Sequence, residues 1–217
     1  MLWFSEIASL PAQVAARTVG PKAAVLARAF AAGLRVREVL VLPAALALAS
    51  LAALAAALRV LAERVAAAGI PIVPGRFAVR SSSAREDLAG RSAAGLFLSQ
   101  VGVPLLRVLR AAAAVRGATL GPALRRYLGE ESPKEVAVLI QPQVAAVKLG
   151  VLQLAPDDEV LLEERAATEP EWAAAVPRRL GSVLQGGDAA LRAGALALRA
   201  ILSAAVEEEQ QGERRAS

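Results

Sequence analysis

Arg80 and the three serines that follow it, Ser81 to Ser83, have the residue types and spacing for chemistry on an anion. They end an apolar lead-in, Phe77-Ala78-Val79, so a strand would deliver one guanidinium and a row of hydroxyls to its tip. Arg85, the acidic pair Glu86-Asp87 and a small-residue loop, Ser92-Ala93-Ala94-Gly95, come next. Small residues let a loop bring its backbone N–H groups close to a ligand. Arginine and exposed N–H groups together make a phosphate site. A strand followed by a Ser/Gly turn also occurs where nothing binds, so the pattern alone leaves both readings open.

Lys22 is the second candidate. Val19-Gly20-Pro21-Lys22 reads as a turn that opens a helix over Ala23 to Ala32, closed by Gly33. A cation at a helix start opposes the helix dipole, and becomes favourable if an anion sits there. The plain alternative is an exposed lysine on a turn.

The elements that must position these residues follow from the apolar pattern. Val36 to Leu42 reads as a strand, Ala44 to Ala68 as a long Ala/Leu helix ending at Gly69, and Ile70 to Val73 as an extended lead into the Phe77 strand. Pro104 to Arg116 reads as a helix with Arg107 and Arg110 on one face, and Leu120 to Leu128 as another. Glu135 to Val144 is a continuous apolar run, hence a strand buried in a sheet, with Lys148 to Leu154 as its expected hairpin partner. Glu159 to Glu164 reads as a further strand; Pro170 to Leu184 and Ala189 to Glu209 read as helices, the last with a frayed acidic tail.

Three stretches carry a family resemblance. Val79-Arg80-Ser81-Ser82, Glu86-Asp87-Leu88 and Ser92-Ala93-Ala94-Gly95 resemble the signature VRSSATAEDLPxxSFAG. That signature belongs to the N-terminal nucleotide-binding domain of the pyruvate phosphate dikinase and phosphoenolpyruvate synthase family, an ATP-grasp relative. Residues 10 to 42 resemble that family's opening, with Lys22 in place of its phosphate-contacting lysine. Pro21 departs from the family's second glycine, and Arg35, Arg37, Glu38 and Val39 depart from its Pro-Pro-Gly run. Glu135 to Leu154 resembles VAVVVQxMVxxxxSGVxFT, with Gln141 at the family's glutamine and Gly150-Val151 at its Gly-Val pair.

The resemblance covers roughly residues 10 to 154 and implies an α/β (α+β) fold. The expected architecture is a partial ATP-grasp-like domain, a small mixed sheet flanked by Ala/Leu-rich helices. The expected division is an N-terminal lobe over 1–155 and a helical extension over 156–217. The resemblance implies ATP as ligand. Lys22 and Arg80 would meet phosphate oxygens and act as the catalytic cations. Gly95 would let its loop approach the nucleotide, Ser99 would bond a phosphate, and the Gln141 amide would read the adenine edge. Mg²⁺, if the protein is active, would need oxygen ligands. The only echo of the family's metal segment is Glu169-Pro170-Glu171-Trp172, which makes Glu169 and Glu171 the metal candidates and equally a plain helix start rich in acids.

Composition sets limits. The 217 residues contain no histidine and no cysteine, which excludes His general bases, His and Cys metal ligands and disulfides. Family members pass phosphate to a histidine on a separate domain, so this chain would need a partner chain carrying histidine and substrate domains. The net charge of +5 suits anionic partners such as nucleotides. The aromatic content of 3% offers no stacking series, and nucleic acid is not the expected partner. Val39 to Leu58 is a 20-residue uncharged run, but Pro43 interrupts it and about half of it is alanine, so a buried helix after a short strand is expected and not a membrane span. Met1 to Leu10 carries Glu6 and lacks a basic start, so no signal peptide is expected and the location is cytoplasmic. Three readings stand in order: a nucleotide-binding piece of a phosphotransferase that works with a partner, a degenerate non-catalytic interaction or regulatory module, and a basic nucleic-acid-binding protein.

Overall fold

The computed structural model describes residues 1–34, 36–43, 51–83, 87–88, 91–92, 97–118, 121, 126, 136–154, 160–168, 178–180, 193–197 and 199–200. The chain forms two compact units, Met1–Val144 and Ala145–Ser217.

The first unit is built on a five-stranded sheet. Its strands are β1 (Leu2–Trp3), β2 (Leu40–Leu42), β3 (Ile72–Ser82), β6 (Ser99–Pro104) and β7 (Ala137–Val144); two short strands, β4 (Asp87–Leu88) and β5 (Arg91–Ser92), pair only with each other. The spatial order is β1-β2-β7-β3-β6, and every neighbouring pair is antiparallel. The expected mixed sheet is therefore antiparallel among the described residues. Central β7 explains its own sequence: Ala137 to Ile140 are all buried, because both faces of the sheet are covered there.

The two faces are filled by different helices. One face carries Leu40, Leu42, Phe77, Val79, Val103, Val138 and Ile140 against helices α4 (Leu51–Ala67) and α5 (Val108–Ala118). Helix α4 presents Leu54, Leu58, Leu61 and Val65, a 4-3-4 spacing that keeps one stripe inward. The other face carries Val39, Val41, Ala137 and Leu139 against α1 (Phe4–Ala8), α2 (Ala12–Val19) and α3 (Pro21–Ala31). Here alanines dominate the helix side, Ala15, Ala23, Ala24 and Ala27, and Phe4 is the largest fully buried side chain.

Arginines tie the periphery to this frame. Arg64 of α4 pairs with Glu38 at 2.8 Å and lies 4.7 Å from the centre of the Trp3 ring. Arg116 of α5 donates to the Pro43 carbonyl at 2.6 Å, and burial pushes its guanidinium below its ordinary pKa.

The second unit contains β8 (Lys148–Leu154), β9 (Val160–Ala166) and β10 (Arg178–Leu180) in an antiparallel sheet of order β10-β9-β8. Two expectations change here. Strand β8 pairs with β9, not with β7, because both edges of β7 are already taken by β2 and β3. This places β8 in the second unit, where the expected boundary at residue 155 had put it in the first. The helix expected over Pro170 to Leu184 is interrupted by strand β10, whose Arg178 to Leu180 pair with Leu162 to Val160. Pro177 immediately precedes that strand and disfavours helix at the residue before it. The C-terminal segment is thus not purely helical: helix occurs at 193–197 and 199–200, downstream of the sheet. The helix expected over Leu120 to Leu128 falls almost wholly outside the described residues. No described helix is long and apolar enough to cross a membrane, the Val39 to Leu58 run included as far as it is described.

Leu61 is fully buried between α4 and the sheet. Leu61→Ala should lower unfolding stability by about 2–5 kcal/mol in a denaturant titration, whereas Val60→Ala, one residue away and 39% exposed, should cost far less.

Candidate functional site

The start of α3 is held by a strand far away in sequence. Gly20 is the residue before the helix, and Pro21 takes the first helical position, where its missing N–H costs nothing. Pro21 therefore suits this turn, although it departs from a glycine pair. Gly20 has no side chain to cap the helix, and Ser82 of β3 supplies the oxygen instead: the Ala23 N–H donates to Ser82 Oγ at 3.2 Å. Gly20 itself has φ +80° and ψ 156°, a region only glycine occupies readily. A Cβ there would press into the Ser82 hydroxyl and stand 2.7 Å from the Ser82 carbonyl oxygen.

This contact fixes where Lys22 lies. In β3, Ser82 pairs with Ala137 and Arg80 with Leu139, so Ser82 and Arg80 share the face that α1 to α3 cover in part. Arg80 also pairs with Ser99 across β6. Directly opposed residues lie about 4.5–5.5 Å apart at Cβ. Ala78 pairs with Gln141, which puts Gln141 on the same face, diagonal to Arg80 at roughly 7–8 Å. Three candidates from distant parts of the sequence, Arg80, Ser99 and Gln141, thus share one face of one sheet, and the helix start that bears Lys22 packs against Ser82 on that face. Lys22, Arg80 and Ser99 are exposed and Gln141 is half-buried. Helices α1 to α3 cover the β2–β7 side of this face, and the β3–β6 side carries the polar residues.

The remaining candidates fall outside what can be placed. Gly95, Glu86, Glu169 and Glu171 lie outside the described residues, as do Ala93 and Ala94 of the small-residue loop, whose Ser92 ends β5. Among the described residues no group of three acidic side chains is arranged to hold a metal ion.

The serine row behaves differently from its expected role. Ser81, Ser82 and Ser83 are buried, at 1%, 1% and 2% exposure. Ser82 is occupied as the cap of α3. Ser81 pairs with Val138 and so faces the opposite, apolar side, where its hydroxyl has no partner among the described residues. The Ser82 hydroxyl serves the junction of helix and strand, and Arg80 is the exposed group of the motif.

Arg37 joins the site unannounced. It is half-buried in the segment leading to β2, and burial first, then the charge of Arg80, pushes its guanidinium below its ordinary pKa. Arginine stays protonated at any physiological pH, so two cations face one another there. In the sequence Arg37 stood only as a departure from a Pro-Pro-Gly run. The signal that could have found it was a charge two residues ahead of the apolar Val39-Leu40-Val41, on the alternate that leads toward the same face as Val39.

The fold and site together define an α+β protein whose antiparallel sheet leaves one polar, cation-bearing half-face beside a helix start. A search of known protein families finds none that matches the chain, and a search of curated proteins finds no relative.

Gly20→Ala should destabilise the protein by about 1–3 kcal/mol from backbone strain alone, and Ser82→Ala by about 1 kcal/mol through the lost cap. Ser81→Ala, which removes an unpartnered buried hydroxyl, should be neutral or stabilising. Thermal and denaturant unfolding of the three variants checks this order.

Proposed function

We propose that the Met1–Val144 unit is a nucleotide-binding lobe of the ATP-grasp type, part of a phosphotransferase resembling the pyruvate phosphate dikinase and phosphoenolpyruvate synthase family. The observation that carries this reading is the Gly20–Ser82 contact. It packs the helix start that bears Lys22 against Ser82, two residues along β3 from Arg80, which supports reading the two motifs as parts of one phosphate site.

The residues present fit an anionic group. Lys22 and Arg80 supply positive charge, and Arg37 adds a cation already crowded by Arg80. The N-terminus of α3, an eleven-residue helix, adds its dipole to the same side. Ser99 offers a hydroxyl opposite Arg80, and the Gln141 amide offers a donor and an acceptor suited to a base edge. Phosphoryl transfer depends on positioning and charge neutralisation, and these groups would bind and orient phosphates. The described residues offer no cluster for Mg²⁺, and with no histidine in the chain the phosphoryl acceptor must come from elsewhere. On this reading the chain binds ATP and works with a partner that carries the acceptor.

Calorimetric titration of ATP, with and without Mg²⁺, tests the reading. Arg80→Ala and Lys22→Ala should each weaken binding by about tenfold or more, the scale of a lost hydrogen bond to a charged group, with unfolding transitions unchanged. Variants that bind ATP like the parent, or a parent that binds none, would overturn it.

A further inference from the structure

A second surface lies on the opposite face of the sheet, at its far edge. Strand β6 is the last strand of the sheet and pairs only with β3 among the described residues. Between β6 and α5 runs an open groove of about 420 Å³, lined by Gln100 to Pro104 on the strand side and Arg107, Arg110, Ala111 and Ala114 on the helix side. Val101, which lines it, is 67% exposed.

Among the described residues the charges in this groove lack an ionic counterpart. Arg107 and Arg110 are three apart, so they emerge on one side of the helix. Both are exposed, and among the described residues neither makes an ion pair. They sit where η1 (Leu105–Arg107) runs into α5, and that first turn has no acidic residue. Cations at a helix start oppose its dipole, so this end of α5 is doubly positive.

We infer that the β6–α5 groove binds an extended, acidic peptide segment of a partner protein, which adds a strand to the β6 edge and sets its carboxylates against Arg107 and Arg110. Groove recognition beside a helix and a free strand edge uses main-chain hydrogen bonds for affinity and side-chain pockets for choice. Ala111 and Ala114, which line the groove, are small and leave room for alternate side chains of the added strand. The opposite sheet edge, β1, is two residues long and offers no comparable template. A second copy of this chain fits less well. Strand β6 carries a bulge at Val101–Gly102, where Gly102 has φ +71° and its carbonyl accepts from Arg76 at 3.0 Å. Two bulged edges do not pair in register, and two copies would bring four arginines together. Charge thus favours an acidic heterologous strand.

The test presents the 217-residue chain to a display library of random decapeptides, followed by fluorescence anisotropy of the most enriched peptide. Enrichment of acidic, proline-poor sequences is expected. Affinity should fall about tenfold or more for the double variant Arg107→Glu/Arg110→Glu, and alternate N-methylation of the peptide should abolish binding. The single variant Arg110→Ala should weaken binding to a lesser degree, which keeps the test informative if the double variant unfolds. The inference is overturned by any of four results: no enrichment; enriched peptides without acidic residues; undiminished binding of the N-methylated peptide; or displacement by single-stranded DNA as readily as by the peptide. Concentration-dependent self-association that charge reversal weakens would also overturn it, by naming a second copy as the occupant.

Discussion

The structure of the first unit hinges on a contact between two small residues, Gly20 and Ser82. The Ala23 N–H and the Ser82 hydroxyl are 59 residues apart in the chain and 3.2 Å apart in space. Every residue at this junction is small: Gly20, Ala23 and Ala24 on the helix side, Ser82 and Ala137 on the sheet side. Small residues let the start of α3 lie directly on the sheet, and the hydroxyl then satisfies a helix N–H that would otherwise be buried without a partner. The alanine-rich composition, which limits the area each core residue buries, here serves close approach. A larger residue at either side would lift the helix and carry Lys22 away from Arg80.

That junction decides the electrostatics of the open half-face. Arg80 and Arg37 repel, and neither can relieve the repulsion by losing a proton. At a solvated surface such repulsion is modest, about 1 kcal/mol for unit charges 4 Å apart in water and more where water is excluded. The chain therefore keeps an unfavourable pair beside a helix start that is itself positive. An anion seated among them gains from all three at once. Interaction with any one alone would be weak and readily screened by salt.

Much of this was legible in the sequence because it depends on local pattern. The long Ala/Leu helix, described over Leu51–Ala67, the apolar run of β7 and the Gly-Pro-Lys helix start each have a local physical cause, and each is found in the stretch where it is expected. Pairing was less legible, because it depends on which edges are free. Strand β8 follows β7 closely and reads as its hairpin partner, yet β2 and β3 saturate β7 from distant parts of the chain. The direction of the serine row was also hidden. A strand alternates its side chains, so Ser81 and Ser82 face opposite ways, and only the packing of α3 reveals which one is used. Arg37 was hidden for the same reason, since its neighbour Arg80 is a tertiary neighbour.

The polarity of the open half-face limits what it can meet. Leu139 and Ala78, the apolar residues in its rows, are already buried at 1% and 7% exposure. A surface made to dock an apolar lobe would show uncovered Leu, Val or Phe there, since burial of apolar area drives such docking. What it presents is guanidinium, ammonium, hydroxyl and amide. Any second lobe that closes on this face would have to do so through polar contacts or through a charged ligand held between them. On the opposite side α4 and α5 cover the sheet. Both faces hold core: one leaves the outer side of β6 unpaired among the described residues, and the other keeps exposed cations beside its buried cluster.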